Sequence, residues 1–233
     1  MKKLAIMQPY IFPYIGYFQL VNAVDKFVFY DDVDFIKQGW INRNYLLVND
    51  NPSLFSIPVK NISSNQKIKD VEIVENKKWK KTFLRTIFYS YKKAPFFDAI
   101  YNLVESITDS GENKIGMLAI SSIRKVASYL NINTEFSISA GRYENDSLTG
   151  EARVLDICQQ ENATHYINPI GGRSLYSKEL FSRHGIELSF IKTGDVTYEQ
   201  FGNTFVPSLS IIDVMMFNLP EQIRDFLNDF EFI

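Results

Sequence analysis

Two apolar runs near the start of the chain, separated by a short helical segment, most constrain how this sequence can fold. Residues 4–7 and 26–30 have the composition of buried strands, and residues 15–23 between them have the spacing of a helix. A strand, a helix and a second strand in this order form a parallel pair joined by a right-handed crossover. The N-terminal part therefore predicts an open parallel sheet.

The remaining sequence alternates in the same way on the far side of a helical middle. Further strands are predicted at residues 134–138, 165–168 and 187–191. Helices are predicted at residues 78–91, 96–106, 114–130, 150–162, 177–184, 209–218 and 221–228. Short strand-like runs are predicted at residues 45–48, 54–59 and 71–73, with a turn at residues 49–52.

This order of elements predicts the α/β class, with a Rossmann-like, mostly parallel sheet and a helical insertion in the middle of the chain. No linker-like stretch divides the sequence, so we interpret residues 1–233 as one domain. Within it we expect an N-terminal α/β part at 1–75, a helical part at 76–131 and a C-terminal α/β part at 132–233.

Composition excludes several kinds of protein. Hydrophobic residues make up 45% of the 233, which is enough for a substantial core. Cys158 is the only cysteine, and His165 and His184 have no metal-ligand spacing, so we expect neither an intrachain disulfide nor a metal site. No run is long enough to cross a bilayer and the N-terminus lacks the features of a secretory signal. We therefore expect a cytoplasmic protein without membrane insertion.

The charge balance bears on nucleic-acid partners. A formal net charge of −2 argues against broad, nonspecific nucleic-acid binding, and we expect no nucleic-acid partner. A local basic patch remains compatible with this charge. Residues 78–81, Lys-Trp-Lys-Lys, are either a solvated helix face or a contact for a diphosphate or a tRNA. The sequence leaves the oligomeric state open.

Polar segments follow three of the predicted strands. In open α/β sheets, ligands bind beyond the carboxyl ends of the strands. The segments that this rule selects are Gln8-Pro9-Tyr10, then Asp31-Asp32 with Asp34 close behind, and Asn168-Pro169 with Gly171-Gly172. If the sheet is parallel, all three open onto the same edge.

The first of these segments begins a proline-rich and aromatic stretch. Tyr10, Tyr14 and Tyr17 are either core residues or the wall of a ligand site, and Gly16 would allow a close backbone approach. The following helix N-terminus could take a phosphate. In plan the stretch resembles the entry loop of nucleotidyltransferase-like and class I synthetase-like folds, but it lacks their histidines.

The acidic pair Asp31-Asp32 could bind a cation or an amine, supply a general base, or cap a helix. Cationic and aromatic candidates for substrate binding follow soon after in the sequence. They are Lys37, Trp40, Asn42 and Arg43. The arginine could hold a phosphate or carboxylate through a bidentate fork, or these charges could form a surface salt-bridge network.

The late part of the sequence contributes further candidates. Asn168 with Gly171-Gly172 is typical either of an anion cradle between a strand and a helix start or of an ordinary turn. Asp213 lies among apolar residues of a predicted helix, and such a carboxylate is usually paired with the backbone or with a pocket cation. Ser208 or Ser210 could cap that helix.

Taken together, these residues resemble the WbqC-like family along the whole chain and in the same order. The residues that carry the resemblance are Met7-Gln8-Pro9-Tyr10, Phe12-Pro13-Tyr14-Ile15-Gly16-Tyr17-Phe18, Asp25, Asp31-Asp32-Val33, Trp40, Asn42-Arg43, Gly171-Gly172, Tyr176, Tyr198, Gln200, Leu209-Ser210-Ile211 and Asp213. The first block is the most specific of them. The resemblance implies a bacterial enzyme of O-antigen or other surface-polysaccharide (lipopolysaccharide) biosynthesis that attaches glycine, or another acyl group, to the amine of a dTDP-linked amino-deoxysugar.

From the residues themselves we predict the roles within the site. The catalytic candidates are Asp31, Asp32 and Tyr17. The substrate-binding candidates are Gln8, Pro9, Tyr10, Tyr14, Gly16, Lys37, Trp40, Asn42, Arg43, Asn168, Gly171, Gly172, Tyr176, Tyr198, Gln200 and Asp213. The predicted partner is a nucleotide-sugar. ATP would be a cofactor if the acyl donor is activated in the same site.

Two other functions remain open from the sequence. The N-terminal loop could serve a nucleotidyltransferase-like enzyme that uses ATP or another nucleoside triphosphate. Alternatively, the chain could be a noncatalytic partner in a polysaccharide biosynthetic complex, in which case the acidic pair and Arg43 would be replaceable without loss of polysaccharide.

Overall fold

The computed structural model describes residues 1–63, 65–75, 77–202 and 204–233. The strands are β1 (Lys3–Met7), β2 (Lys26–Phe29), β3 (Arg43–Val48), β4 (Asn51–Ser56), β5 (Glu135–Ser137), β6 (His165–Pro169), β7 (Glu187–Thr193) and β8 (Phe230–Phe232). The helices are α1 (Ile15–Asn22), α2 (Lys77–Tyr91), α3 (Phe97–Thr108), α4 (Ile115–Tyr129), α5 (Gly150–Gln160), α6 (Lys178–Arg183), α7 (Ile211–Phe217) and α8 (Pro220–Asn228). None of the helices in these ranges is long and apolar enough to cross a membrane.

Six strands form the main sheet, in the order β5-β2-β1-β6-β7-β8. The first five are parallel to their neighbours, and only β8 is antiparallel, pairing with β7. Ala5 pairs with Phe27 on one side of β1, and Leu4 pairs with Tyr166 on the other. The prediction of a Rossmann-like, mostly parallel α/β sheet is confirmed. The sequence pattern did not predict β8.

Alternate residues of the central strands face two different cores. Ala5 and Phe27 belong to a larger core that also contains buried residues of α1, α2, α3, α4, α7 and α8. Leu4 and Val28 belong to a smaller core, which is closed by α5 and α6. Because side chains of a strand alternate between faces, apolar runs such as Leu4-Ala5-Ile6 are required by a sheet that is covered on both sides.

Strands β3 and β4 form a separate antiparallel hairpin. Asn49 and Asp50 both have positive φ, at 49° and 59°, as a two-residue hairpin turn requires. The predicted turn at residues 49–52 is therefore two residues too long, because Asn51 already pairs with Val48. The strand predicted at residues 71–73 is also wrong, since Glu72 and Ile73 make only isolated bridges.

The helical middle of the chain is packed on the N-terminal loop and on the hairpin. Phe83 of α2 lies 6.0 Å from Phe12 and 4.7 Å from Phe55, measured between ring centroids. The Tyr91 hydroxyl accepts a hydrogen bond from the backbone N–H of Leu47 at 2.7 Å. These contacts place α2 directly behind the segments that form the candidate site.

Candidate functional site

The three polar segments selected from the sequence leave the sheet at one edge. Strands β2, β1 and β6 are adjacent and parallel, so the segments that follow them start at the same, carboxyl edge. The backbone N–H of Tyr30 donates to the Met7 carbonyl at 2.8 Å, which joins the ends of β1 and β2. The edge expected from the sequence is thus present.

The loop after β1 has an unusual backbone conformation that other elements hold in place. Phe12 is fully buried and has a φ of 41°, which is uncommon for a bulky residue. Its N–H donates to Ser122 Oγ at 3.2 Å, and its carbonyl accepts from Asn44 Nδ2 at 2.7 Å and from Ser210 Oγ at 2.8 Å. A conformation of this kind persists only where the surroundings over-determine it, and it is typical of functional sites.

Tyr17 fixes the first residues of this loop. Its hydroxyl donates to the Gln8 carbonyl at 3.1 Å, and its ring packs edge-on against Tyr10 at 4.8 Å. Burial raises the pKa of both tyrosines well above the ordinary value, so both hydroxyls stay protonated. Tyr17 therefore orients the loop through its backbone, Pro9 is buried there, and Gln8 stays half-buried.

Gly16 is required by close packing at the start of α1. A Cβ at this position would lie 2.5 Å from the Tyr14 ring and 2.6 Å from Oγ1 of Thr193, which is the last residue of β7. The close approach expected at Gly16 is thus made by these two protein side chains. Any larger residue would displace Tyr14, which lines the cavity described next.

A cavity of about 390 Å³ lies between the N-terminal loop and the hairpin. It is lined by Tyr10, Tyr14, Trp40, Asn44, Tyr45 and Ser208. Trp40 is 51% exposed, and its ring lies 5.8 Å from that of Tyr45. Mostly aromatic walls with a few polar groups, in this range of volume, are typical of small-molecule sites. Tyr10, Tyr14 and Trp40 were predicted from the sequence, whereas Asn44, Tyr45 and Ser208 were not.

The cationic candidates lie on the segment that follows β2 and on the first residue of β3. The Arg43 guanidinium carbon is 5.8 Å from the centroid of the Trp40 ring, and its Nε donates to the Gly39 carbonyl at 2.8 Å. Asn42 Nδ2 donates to the Ile57 carbonyl at 2.8 Å and so attaches this segment to the chain after β4. Lys37 is exposed. Arg43 is therefore the cation that the structure places against the cavity wall.

Asp31 lies at the end of β2 and is almost fully buried. Its Oδ1 accepts hydrogen bonds from Ser139 Oγ at 2.6 Å and from the Ala140 N–H at 3.2 Å. Burial raises the pKa of Asp31 above the ordinary value, although these two hydrogen bonds oppose the shift. A buried carboxylate with a raised pKa is a stronger base than a solvated one.

Asp32 has a different partner, which the sequence did not reveal. Its Oδ2 pairs with the buried Arg153 of α5, whose Nε donates to Asn145 Oδ1 at 2.9 Å. The same guanidinium lies 5.1 Å from the centroid of the Tyr30 ring. The sequence feature that points to this pair is an arginine beside the apolar run of α5. A cation at such a position is buried, and a buried cation requires a carboxylate partner. The other oxygen of Asp32, Oδ1, is buried without a partner among the described residues.

After β6 the chain makes a turn before the predicted helix begins. Gly171 and Gly172 lie in a 3-10 turn, Ile170–Leu175, while α6 begins only at Lys178 with Ser177 as its N-cap. The helix predicted at residues 177–184 is thus present, and the 3-10 turn separates the glycine pair from its N-terminus.

Gly172 has a packing role in that turn, whereas a Cβ at Gly171 would meet no atom within 4 Å. The Asn168 side chain lies so close to Gly172 that a Cβ there would be 1.9 Å from its Nδ2. Tyr166 donates to Asn168 Oδ1 at 3.3 Å, and the half-buried ring of Tyr176 is 5.6 Å from that of Tyr166. Asn168, Gly172 and Tyr176 are therefore packed together on the face of the smaller core.

Tyr198, Gln200 and Asp213 are brought together, but with one another. Asp213 Oδ1 accepts from the Tyr198 hydroxyl at 2.7 Å and from Gln200 Nε2 at 2.8 Å, and its Oδ2 accepts from the Tyr91 hydroxyl at 2.8 Å. Burial raises the pKa of Asp213, and these hydrogen bonds oppose the shift. Asp213 is therefore paired, but with neutral side-chain donors and not with the backbone or the cation that the sequence suggests. Its bond to Tyr91 holds α7 against α2.

The N-cap of α7 is Ser210, which accepts a hydrogen bond from the Ile212 N–H at 3.3 Å. Ser208 instead has a φ of 60° and lines the cavity. No group of three or more histidine, cysteine, aspartate or glutamate side chains that could hold a metal occurs among the described residues.

The fold and the site define an open α/β protein whose aromatic cavity and buried acidic pair follow parallel strands at their carboxyl edge. Comparison with known families places it more closely. The model of the WbqC-like protein family matches residues 8–225, and the chain belongs to that family. It is also 29% identical over 231 residues to an uncharacterized protein of Mycobacterium tuberculosis, Rv1507c, covering 97% of this chain and 98% of that one. No solved structure matches the chain significantly.

Proposed function

We propose that the chain is a transferase that adds an aminoacyl or acyl group to the amine of a nucleotide-linked amino sugar, of the dTDP-amino-deoxysugar class, for a bacterial polysaccharide such as an O-antigen. One observation carries the proposal: an aromatic cavity and a buried carboxylate pair follow adjacent parallel strands at one edge of the sheet. Such a substrate would place the reaction in the cytoplasm.

The cavity suits the nucleotide part of this substrate. The rings of Tyr10, Tyr14 and Trp40 offer stacking surfaces for a pyrimidine base. Arg43, already against Trp40, supplies a fork for a diphosphate, and the exposed Lys37 on the same segment adds a second cation. The amide of Asn44 is occupied by the Phe12 carbonyl, so its role is to hold the loop.

The acidic pair suits the transfer itself. The neutral sugar amine attacks the carbonyl of an activated acyl donor, a nitrogen–carbon bond forms, and the carbon–oxygen bond of the ester or acyl adenylate breaks. Asp31 accepts the proton that the nitrogen loses and returns it to the departing oxygen. We assign this role to Asp31 because Asp32 is neutralised by Arg153, whereas burial raises the pKa of Asp31.

The two tryptophans allow a direct test, because Trp40 lines the cavity and Trp79 lies on α2. Titration with dTDP should quench tryptophan fluorescence in the wild type and in Trp79→Phe, and the quenching should disappear in Trp40→Phe. Stacking of the base on the indole is the physical cause.

Calorimetry with a dTDP-amino sugar provides the second readout. Trp40→Ala should weaken binding by about 1–3 kcal/mol, the usual contribution of one base–aromatic stack. Equal quenching in Trp40→Phe and the wild type, together with no measurable heat, would rule the proposal out.

A further inference from the structure

Helix α2 has the strongest local charge in the chain. Residues 77–93 contain seven lysines and arginines and no acidic residue, although the whole protein has a net charge of −2. Phe83, Ile87 and Tyr91 of this helix are buried in the larger core. The opposite side presents Lys81, Arg85, Phe88 and Tyr89 to solvent, and Lys92 follows just after the helix. We call these five exposed residues the basic aromatic face.

Cations and rings alternate along this face and contact one another. Arg85 lies 6.0 Å from the Tyr89 ring centroid, and Lys92 lies 5.8 Å from that of Phe88 and 5.7 Å from that of Tyr89. Tyr89 is 63% exposed and Phe88 is 40% exposed. Exposed rings held between cations are the arrangement that binds single-stranded nucleic acids, since bases stack on the rings and phosphates contact the cations.

A shallow groove continues the face between α2 and α3. It has a volume of about 380 Å³ and is lined by Lys80, Lys81, Leu84, Arg85, Tyr101 and Asp109. Asp109 is the acidic residue in this lining, and it forms an ion pair with Lys80 at 3.3 Å. Lys80 is not one of the residues of the basic aromatic face, so this ion pair does not use a cation of that face.

Membrane binding fits this helix less well. A helix that lies on a bilayer buries its apolar face among the lipids. The apolar face of α2 is already buried against Phe12 and Phe55 through Phe83. The solvent-exposed side of α2 carries cations and two aromatic rings. Such a surface favours binding of a phosphate-rich polymer.

We propose that the basic aromatic face binds single-stranded RNA, and that the acyl donor of the transfer reaction is an aminoacyl ester carried on such an RNA. The second part rests on the proposed function. Two observations connect the basic aromatic face to the candidate site. Helix α2 packs on the loop that forms the cavity, and the Tyr91 hydroxyl accepts a hydrogen bond from β3, whose Tyr45 lines the cavity.

The chemistry of this donor balances without any further reagent. The sugar amine attacks the ester carbonyl, the nitrogen–carbon bond forms, and the bond from the carbonyl carbon to the ribose oxygen breaks. The proton from nitrogen passes by way of Asp31 to that oxygen, and the RNA leaves with a free ribose hydroxyl. An ester is already activated, so this step consumes no ATP.

Fluorescence anisotropy with a labelled single-stranded RNA of about 12 nucleotides tests the face itself. Three cations that each neutralise a phosphate predict a slope of log affinity against log salt of about −2. Arg85→Glu/Lys92→Glu should bind at least about tenfold more weakly with a smaller slope. Tyr89→Ala should bind about tenfold more weakly with an unchanged slope, because it removes stacking only.

Lys178→Glu/Arg183→Glu on α6 is the matched control, since it reverses one exposed lysine and one exposed arginine on another helix. It should bind RNA like the wild type. Equal weakening in this control, no anisotropy change in the wild type, or binding only to vesicles of phosphatidylserine and phosphatidylcholine would overturn the assignment.

The donor is tested separately from the site. Aminoacylated RNA with a dTDP-amino sugar and no ATP should give a product heavier by one aminoacyl unit, and the α2 double variant should give less of it while retaining Trp40 quenching by dTDP. Transfer from free amino acid and ATP without RNA would overturn the donor assignment and leave the proposed function standing. Absence of dTDP quenching in the wild type would overturn the proposed function and the donor assignment that rests on it, and would leave RNA binding by the basic aromatic face standing.

Discussion

At the scale of single residues, the two adjacent aspartates at the end of β2 have unlike roles. Asp31 is held by neutral donors, Ser139 and the backbone of Ala140, whereas Asp32 forms a buried ion pair with Arg153. Removing one member of a buried ion pair leaves an uncompensated charge, while removing one acceptor of neutral hydrogen bonds costs much less. The pair therefore combines a candidate base with a structural anchor.

This difference predicts unequal losses of stability. Asp32→Ala should lower the free energy of unfolding by about 3–5 kcal/mol, because Arg153 stays buried without its partner. Asp31→Asn keeps an oxygen for Ser139 and should cost about 1 kcal/mol. Urea unfolding measures both. Equal losses in the two variants would contradict the distinction between anchor and base.

At the scale of elements, the N-terminal loop depends on side chains from three distant parts of the chain. Ser122 of α4, Asn44 of β3 and Ser210 at the start of α7 all bond the backbone of Phe12. This explains how a stretch with two prolines and a positive φ stays ordered, and it couples the cavity to the helical middle.

Ser122→Ala should loosen the loop, since it leaves the buried N–H of Phe12 without an acceptor. We expect a loss of about 1–3 kcal/mol in the free energy of unfolding and faster hydrogen exchange in the loop. Ser121→Ala, on the same helix but half-buried and facing elsewhere, serves as the control and should stay within about 0.5 kcal/mol of the wild type. Equal losses in the free energy of unfolding for Ser122→Ala and Ser121→Ala would show that Ser122 does not hold the loop.

Elements with a clear period were predictable from the sequence, and those set by nonlocal pairing were not. The parallel strands and the long helices follow from apolar spacing alone. The three residues of β8 are too few to show a period, and they are a strand only because β7 offers them a partner. Residues 71–73 are equally few, and they do not form a strand because Glu72 and Ile73 make only isolated bridges.

At the scale of the whole molecule, a buried ionic cluster joins the start of the chain to the C-terminal α/β part. Glu161, just after α5, accepts from Lys2 and Lys26 at 2.9 Å each and from the Tyr143 hydroxyl at 2.7 Å. Burial opposes ionisation of this carboxyl, but the hydrogen bonds from Tyr143 and the two lysines outweigh it and lower its pKa to about 2.

A lowered pKa makes this cluster sensitive to acid. The ionised Glu161 contributes its full stability above the unfolded pKa of about 4.3, and the contribution is lost as the pH falls towards about 2. The difference in unfolding free energy between the wild type and Glu161→Gln should therefore narrow by about 3 kcal/mol from pH 6 to pH 2. As a control, Glu135→Gln removes an exposed partner of Lys26 and should change the free energy of unfolding at pH 6 by at most about 1 kcal/mol, because exposed ion pairs contribute little. A constant difference for Glu161→Gln would contradict this assignment.

The candidate site was predictable where it follows strand ends and hidden where distant segments meet. The rule for parallel sheets selects Tyr10, Asp31 and Asn168 from their positions after apolar runs. Arg153 could not be selected in this way, because its partner is 121 residues away and only the fold brings them together.

We propose that the aromatic cavity holds the nucleotide while Asp31 faces the sugar amine. A crystal structure with a dTDP-amino sugar tests it most directly. We predict the thymine ring stacked against Tyr10, Tyr14 or Trp40, the diphosphate near Arg43, and the amine nitrogen about 3 Å from a carboxylate oxygen of Asp31. Nucleotide-sugar bound away from this cavity, or an amine directed away from the end of β2, would contradict the account.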